Sequence, residues 1–187
     1  MDTQTDASLV HRARTGDRDA FGLLVERHMR RAYLQALGLV GSREDALDLS
    51  QEAFARAFRA RHTLDPDRPF YAWLYQILRR LCFNFRRDRR VRRALLEREG
   101  SAWLTDVALR AAPVDPGTAL ERAELSRRVS AGIEALPDRE REALVLKEFE
   151  DLKYREIAEL VGVPIGTVMS RLYSARRRLA ECLVNDQ

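Results

Sequence analysis

Residues 153–180, KYREIAELVGVPIGTVMSRLYSARRRLA, contain two short amphipathic segments separated by a Gly-Val-Pro turn. Gly162 can end the first helix in a left-handed conformation, and Pro164 suits the start of the second, where its missing N–H costs nothing. Apolar residues in the second segment recur every three or four positions and predict one buried stripe. Its members are Ile165, Val168, Leu172, Ala175, Leu179 and Leu183. The stretch therefore predicts a helix-turn-helix.

The face opposite that stripe carries small hydroxyl and arginine side chains. Such side chains near the amino end of a helix are typical of a recognition helix, which contacts base edges in the major groove of duplex DNA. An ordinary helical hairpin with a solvated basic face is the alternative. The EIAxxxGV and GTVxSR motifs within residues 156–171 are more specific than a generic amphipathic pattern. The residues expected to contact DNA are Gly166, Thr167, Ser170, Arg171, Ser174, Arg177 and Arg178.

The rest of the chain also has helical rather than strand periodicity, broken sparsely by Gly and Pro. Asp17 and Ser42 are expected N-caps, and Asp151 is expected to cap the helix-turn-helix because Lys153 stands at the capping position. We expect an all-α fold of two small helical domains joined by a flexible linker, with the helix-turn-helix in the second. The expected boundaries are 1–95 for the first domain, 96–117 for the linker and 118–187 for the second domain. The expected helices are 7–16, 18–40, 43–61, 69–95, 118–135, 138–150, 153–161 and 164–183.

The basic residues of this chain are almost all arginine. Its 187 residues include 33 basic and 29 acidic side chains, and only Lys147 and Lys153 are lysines. The planar fork of arginine suits phosphates and base edges, while codon usage in a G+C-rich genome is the alternative explanation. The longest apolar run, Phe70–Tyr75, is far shorter than the roughly 20 residues of a membrane span, so we expect no membrane insertion.

Catalytic and metal-binding patterns are missing from the sequence. The three histidines have no HExxH or paired-ligand spacing, and no P-loop or GxGxxG motif occurs. Two cysteines are too few for a disulfide framework, and the amino terminus does not resemble a secretory signal. We therefore expect a cytoplasmic protein that is not an enzyme, with no catalytic residue, no metal and no cofactor.

Residues 45–60, wound as a helix, separate an apolar side from a polar side whose first two turns are rich in acids. A solvated surface is the common explanation for such acids. An acidic patch on a DNA-binding protein repels phosphate, however, and is better explained by contact with a basic protein partner. The polar side includes Asp45, Asp48, Gln51 and Glu52. The apolar side consists of Ala46, Leu47, Leu49, Ala53, Phe54, Ala57 and Phe58.

Residues 70–85 hold six of the fourteen aromatic residues, and residues 79–93 hold eight arginines and one acid. Arginines that follow a phosphate backbone, together with rings that stack on unpaired bases, suit single-stranded or melting DNA. A clamp on duplex phosphates is the alternative. The loop at 62–69 is placed to help form a pocket for an unpaired base. The residues expected on the outer, DNA-contacting side are Trp73, Tyr75, Arg79, Arg80, Phe83, Arg86 and Arg87.

Together these segments resemble an extracytoplasmic-function (ECF) sigma factor of bacterial RNA polymerase. The matching motifs are DLSQEAFARAF at 48–58, FYAWLYQI at 70–77, LPDRER at 136–141 and GTVMSRLYSAR at 166–176. They lie in order within residues 7–183. The resemblance implies a transcription initiation factor that binds core RNA polymerase, directs it to specific promoters and nucleates promoter opening.

The resemblance also implies a division of labour. Asp45, Asp48, Gln51 and Glu52 would dock on the clamp helices of the largest polymerase subunit. The aromatic–arginine helix and the 62–69 loop would bind and melt the minus-ten promoter element, and the second domain would bind the minus-thirty-five element as duplex. The linker would thread toward the RNA exit path. A separate anti-sigma factor is expected as the regulator, by analogy with the family.

Two positions depart from the family pattern. Arg80 stands where many relatives carry Asn, beside the pocket for a flipped base, so the usual minus-ten base preference need not transfer. Phe58 replaces the more common Trp at the end of the docking helix. Two other classes stay open at this point. A ligand- or phosphorylation-switched DNA-binding regulator would need a sensor domain, and a pure interaction protein leaves the arginines of residues 79–93 unexplained.

Overall fold

The computed structural model describes the backbone of residues 5–98 and 116–184, and the side chains of residues 5–95 and 124–184. Within those ranges the chain forms eight α-helices, one short 3-10 helix and no strand, so the all-α prediction is confirmed. The α-helices are α1 (Asp6–Arg14), α2 (Arg18–Val40), α3 (Arg43–Arg59), α4 (Phe70–Arg98), α5 (Pro116–Ala135), α6 (Asp138–Glu148), α7 (Tyr154–Val161) and α8 (Ile165–Val184). The 3-10 helix spans Arg61–Thr63, between α3 and α4.

Two compact units make up the chain, and the division falls after Arg86. Each unit has its own buried apolar core. The expected boundaries, with domains at 1–95 and 118–187 and a linker at 96–117, stay predictions. Residues 96–98 belong to α4 and residues 116–117 to α5, while 99–115 of the expected linker lie outside the described residues.

The helical hairpin of α2 and α3 is fixed by local capping. Asp17 Oδ1 accepts a hydrogen bond of 3.0 Å from the backbone N–H of Ala20, and Ser42 Oγ accepts one of 3.3 Å from the N–H of Asp45. Gly41 ends α2 in the left-handed region, with φ of 79°. Both predicted N-caps are confirmed, and the left-handed glycine allows the chain to reverse within two residues.

Helix α4 lies along α2 through apolar and aromatic contacts. The ring centroids of Phe21 and Phe70 are 6.3 Å apart, and those of His28 and Tyr71 are 5.8 Å apart. Further along, Arg86 of α4 reaches Leu39 of α2. Since the contacts advance in the same direction on both helices, α4 runs parallel to α2. The buried side chains of α4 are Phe70, Tyr71, Leu74, Tyr75, Leu78, Leu81, Cys82 and Arg86.

The second unit contains the predicted helix-turn-helix. Helix α7 ends at Gly162, whose φ is 75° and whose N–H donates to Ala158 O at 2.9 Å. Helix α8 follows, and the carbonyl of Pro164 accepts from Thr167 N at 2.9 Å. The core of the unit is formed by Leu136, Ile133, Leu144, Ile157, Val161, Val168, Leu172, Ala175 and Leu179. The predicted stripe on α8 is wrong at its start: Ile165 is 48% exposed because it is the first residue of the helix, beyond the packed turns.

The amino end of α7 is capped differently from the expectation. Glu156 Oε2 accepts a hydrogen bond of 2.6 Å from the backbone N–H of Lys153, which is the returning half of a capping box. Asp151 has φ of 49°, and its Oδ1 accepts instead from Lys147 Nζ at 3.0 Å. The prediction of Asp151 as the cap is therefore wrong, because its carboxylate pairs with Lys147, and the side chain that bonds to the backbone at this helix end is Glu156.

Candidate polymerase and nucleic-acid interfaces

The outer surface of α3 carries the acidic face, defined as Asp45, Asp48, Gln51 and Glu52. Asp48 and Gln51 are exposed, and Asp45 and Glu52 are half-buried. Opposite them, Ala46, Ser50, Ala53, Phe54 and Ala57 are buried. The helix thus directs the four predicted docking residues away from the core of its unit.

The charges of the acidic face are not equivalent. Arg56 Nε donates to Glu52 Oε1 at 2.7 Å, and an Arg59 nitrogen lies 4.0 Å from Glu52 Oε2. The hydrogen bond from Arg56 lowers the pKa of Glu52 below its usual value, so the carboxylate stays charged but already paired. Among the described side chains, no ion pair includes Asp45 or Asp48. Asp48 is therefore the exposed acid of this face whose charge is not offset locally.

Leu47 lies beside the acidic face and not in the core. It was expected on the apolar side, but its side chain is 46% exposed. The buried positions 46, 50, 53 and 57 centre the packed stripe about 90° away from Leu47, at about 100° per residue, so Leu47 lies at the edge of the stripe, next to buried Phe54. An exposed leucine next to carboxylates gives this face an apolar contact point as well as charge.

The outer side of α4 holds five of the seven predicted DNA-contacting residues. Arg80 and Arg87 are exposed, while Trp73, Arg79 and Phe83 are half-buried. The Cζ atom of Arg79 lies 4.9 Å from the centroid of the Phe83 ring, so a guanidinium and an aromatic ring are held together on this surface. We call Trp73, Arg79, Arg80, Phe83 and Arg87 the aromatic–arginine face.

Tyr75 and Arg86 do not lie on that face, and the prediction of their outward orientation is wrong. Tyr75 is 0% exposed, with its ring centroid 6.3 Å from that of Tyr71. Arg86 is 9% exposed, and its Nη1 donates to the backbone carbonyl of Leu39 at 3.0 Å. The buried surface of α4 extends over about 160° of the helix, at about 100° per residue, and so includes positions that a narrow apolar stripe leaves outside.

The 62–69 loop includes the last two residues of the 3-10 helix and leads into α4. Thr63 Oγ1 donates to Ala60 O at 2.8 Å, and the N–H of Asp67 donates to Asp65 Oδ1 at 3.1 Å. Leu64 is buried, whereas His62, Asp65 and Arg68 are exposed. The loop is anchored by one apolar side chain and by its own turns, and it presents polar groups directly before the aromatic–arginine face.

The seven predicted DNA-contacting residues of α8 lie on the side away from Val168, Leu172 and Ala175. Gly166, Ser170, Arg177 and Arg178 are exposed, and Thr167, Arg171 and Ser174 are half-buried. Ser170 Oγ donates to the carbonyl of Thr167 at 3.0 Å, so its oxygen can still accept a hydrogen bond. The amino-terminal turns of α8 therefore present a small, polar surface.

Acids of the same unit pair with the arginines in the carboxy-terminal half of α8. Arg178 Nε lies 3.1 Å from Glu140 Oε2, and Arg177 Nε lies 3.4 Å from Glu181 Oε1. Arg176 Nη2 donates to Glu148 Oε1 at 2.7 Å, and this bond, with a smaller effect of Tyr154, raises the pKa of Arg176. This arrangement was not predicted, because the acids come from α6 and from the last turn of α8.

A second cluster that the sequence did not predict ties α1 to α2 and α4. Asp6 Oδ1 accepts from Arg27 Nη1 at 2.9 Å, and Asp6 Oδ2 lies 2.7 Å from His28 Nε2. Burial raises the pKa of Asp6, but the hydrogen bonds from Arg27 and His28 outweigh burial, so the pKa is lowered overall. The His28 ring in turn contacts the Tyr71 ring. These partners are about twenty residues or more apart, and no local pattern connects them.

The described side chains include no group of three or more His, Cys, Asp or Glu that could hold a metal ion. In the same part of the chain, no helix is long and apolar enough to cross a membrane. What the described residues offer is therefore three surfaces for binding: the acidic face, the aromatic–arginine face and the outer side of α8.

Comparisons with known proteins cover both units. Residues 24–92 match the family Sigma-70 region 2, and residues 126–179 match Sigma-70, region 4. The chain is 35% identical to the RNA polymerase sigma-H factor of Pseudomonas aeruginosa, over 96% of this chain and 94% of that one. It is also 35% identical to the ECF RNA polymerase sigma-E factor of Escherichia coli, over 94% and 92% respectively. Among solved structures, CnrH in complex with the cytosolic domain of CnrY is similar with a TM-score of 0.66 and 28% identity, over 97% and 99% of the two chains.

Proposed function

The chain belongs to the extracytoplasmic-function sigma factors of RNA polymerase, and from this premise we propose how its three surfaces divide the work of initiation. A sigma factor directs polymerase to promoters, so the function expected from the sequence is confirmed. A ligand-switched regulator is excluded, because the first half of the chain is a region 2 domain and not a sensor.

The acidic face is proposed to dock on core RNA polymerase. Exposed, locally unpaired Asp48 supports this, since a carboxylate left without a partner attracts a basic surface and disfavours DNA. Leu47 adds an apolar contact at the edge, and buried apolar anchors contribute much of the energy of protein interfaces. The proposed partner surface is the clamp helices of the largest subunit, so it should combine basic and apolar side chains.

The aromatic–arginine face is proposed to bind the minus-ten element and to capture its melted strand. Arg80 and Arg87 are exposed and can follow the phosphate backbone, although Arg87 Nε first has to leave Asp88 Oδ1, which lies 3.2 Å away. The Arg79–Phe83 pair offers an aromatic ring held beside a cation. Stacking of one base on an aromatic side chain contributes about 1–3 kcal/mol, which is comparable to the cost of unstacking a base step. Opening is thus proposed to be driven by binding energy alone, without a catalytic residue, metal or cofactor.

The outer side of α8 is proposed to bind the minus-thirty-five element as duplex DNA. Small residues at positions 166, 167 and 170 allow close approach of the helix to base edges, and Arg171 is the candidate for a bidentate contact to guanine. Arg177 and Arg178 are already paired with acids. They suit contacts to phosphates better than contacts to base edges, because exact hydrogen-bond geometry matters less at a phosphate.

An anti-sigma factor is the proposed regulator, in a cytoplasmic setting. The support is the likeness to CnrH, a protein whose solved structure contains the cytosolic domain of CnrY. A partner of that kind would hold the sigma factor away from polymerase until a signal releases it.

The observation that carries the proposed function is the presence of region 2 over residues 24–92 and region 4 over residues 126–179 in one chain. The test is transcription from genomic promoter fragments with purified core polymerase, with and without this protein. Initiation at specific promoters that requires the protein would support the proposal. Tight duplex binding by the protein alone, with no initiation, would contradict it.

A further inference from the structure

Arg86 of α4 supplies a hydrogen bond that α2 cannot make for itself. The last four carbonyls of a helix have no partner within the helix. In α2, the N–H of Gly41 donates a hydrogen bond to the carbonyl of Leu37 at 2.8 Å, and Arg86 Nη1 donates one to the carbonyl of Leu39 at 3.0 Å. The last turn of α2, which is fully described, has no basic residue of its own. Arg86 therefore brings a positive charge to the negative end of the α2 dipole.

We propose that Arg86 is a positioning residue, which fixes the register of α4 against the α2–α3 hairpin and so holds the aromatic–arginine face in a set relation to the acidic face. It does this from within the unit and does not contact DNA. The inference rests on the proposed roles of those two faces.

The oriented ring contacts of α4 with α2, those of Phe70 and Tyr71, lie at the amino-terminal end of α4. Further along, Leu74 and Leu78 are buried and apolar, and the attraction between apolar surfaces has no preferred direction. A charge-assisted hydrogen bond to one carbonyl is directional, because it weakens steeply with angle and distance. A shift of α4 by one residue would turn its outer face by about 100° and would break this bond.

The position of Arg86 explains which residues it would control. Phe83 and Arg79 stand three and seven residues earlier, so both follow the rotation that Arg86 fixes. At the other end of the contact, Leu39 lies just before Gly41, which ends α2, and Ser42, which caps the start of α3 and so precedes the acidic face. Arg86 thus joins the helix proposed to melt DNA to the turn that precedes the helix proposed to dock on polymerase.

A contact with phosphate is the competing role for a basic residue on this helix. It would require the guanidinium to leave Leu39 and to cross to the outer side. The neighbouring residue Arg87 is exposed and carries the same charge, so it serves as the matched comparison. Substitution of each arginine by methionine removes the charge and keeps most of the length of the side chain.

The experiment compares wild-type protein with Arg86→Met, Arg86→Lys and Arg87→Met, each in the holoenzyme with core polymerase. Open-complex formation on a duplex promoter is measured over a range of salt concentrations, and the slope is that of the logarithm of its equilibrium constant against the logarithm of the salt concentration. Amide hydrogen exchange is measured on the free protein. We expect Arg86→Met to lower open-complex formation at least tenfold, to leave the slope against salt unchanged and to speed exchange in residues 39–43. Arg87→Met should lower the slope by about 0.9, as loss of one phosphate contact does, with no change in exchange.

Arg86→Lys should recover part of the loss, because an ammonium group can donate to Leu39 O but without the fork of arginine. If Arg86→Met does not fold, the proposal is tested with Arg86→Lys, by the same measurements of open-complex formation against salt and of amide hydrogen exchange. A slope lowered by about 0.9 in the Arg86 variant would overturn the proposal, and so would unchanged exchange or unchanged open-complex formation. Failure of the wild-type protein to open any promoter would instead reject the proposed function, and the exchange result would still report on the helix contact.

Discussion

The guanidinium carbon of Arg79 lies 4.9 Å from the centroid of the Phe83 ring, one helical turn away on α4. The pair holds an aromatic ring at the surface of a helix in which three other rings, Phe70, Tyr71 and Tyr75, are buried. A ring held in this way has already lost much of its freedom of rotation. Stacking on a base would therefore cost it less conformational entropy.

Substitution of Phe83 by alanine should weaken capture of the melted strand by about 1–3 kcal/mol, since one stacking partner is lost. The measurement is binding of a single-stranded minus-ten oligonucleotide to holoenzyme. Asn84→Ala, at the exposed neighbouring position, is the control and should bind as wild type does. Equal binding by the Phe83 variant would show that the ring does not contact bases.

Asp48→Arg should abolish detectable binding to core polymerase, because it replaces an exposed, unpaired carboxylate with a like charge facing a basic surface. Affinity for core can be measured by fluorescence anisotropy of labelled protein. Glu26→Arg, an exposed position on α2, makes the same change in net charge elsewhere and should retain binding. An unchanged affinity in the Asp48 variant would mean that the acidic face is only a solvated surface.

Leu47→Asp should also weaken binding to core, although it adds a further acid to the acidic face. The reason is that an apolar contact is lost, and we expect a loss of about 1–2 kcal/mol, the scale of burying most of a leucine side chain. Leu34→Asp on α2 is the comparison, since Leu34 is similarly exposed. Tighter binding by Leu47→Asp would indicate that charge alone drives docking.

Arg171→Ala should lower affinity for the minus-thirty-five duplex by about 1–3 kcal/mol and relax specificity at one base pair, if the side chain makes a bidentate contact. Arg178→Ala should have an effect that is the same for every sequence, because Arg178, which is paired with Glu140, is proposed to contact phosphate and not a base edge. Both can be measured by titration of promoter and scrambled duplexes. A loss at Arg171 that is equal on both duplexes would assign it to the phosphate backbone.

Asp6→Asn should lower stability slightly at neutral pH, by less than about 1 kcal/mol, since the carboxylate is partly exposed and pairs with Arg27 and His28 at the surface. The folded-state pKa of Asp6 is lowered, so its contribution is complete above the ordinary value of 3.8 and is lost as the pH falls through the lowered pKa. Urea unfolding at pH 7 and below pH 4 checks this, with Asp19→Asn as control. A difference between wild type and Asp6→Asn that grows in acid would contradict the assignment.

The features that could be predicted from the sequence are those determined by neighbours along the chain. The caps at Asp17 and Ser42 and the left-handed end of α7 at Gly162 each depend on residues within one turn. The exposed part of each predicted face follows from helical periodicity. The site roles assigned to these residues stay predictions.

Three of the errors share one physical origin. Tyr75, Arg86 and Leu47 were misplaced because burial on a helix depends on how wide a surface other helices cover, and this is decided by partners far away in sequence. For Arg86 the deciding partner is the carbonyl of Leu39, and a backbone carbonyl has no signature in the sequence. The ion pair of Arg178 with Glu140 has the same character, since it joins α6 to α8.

The acids that pair with Arg176, Arg177 and Arg178 have a consequence for the protein when it is free in the cell. Each of these arginines has to give up a carboxylate before it can contact a phosphate, so each such contact gains less free energy than an unpaired arginine would gain. We therefore expect weaker sequence-independent binding to DNA than the number of arginines on α8 suggests.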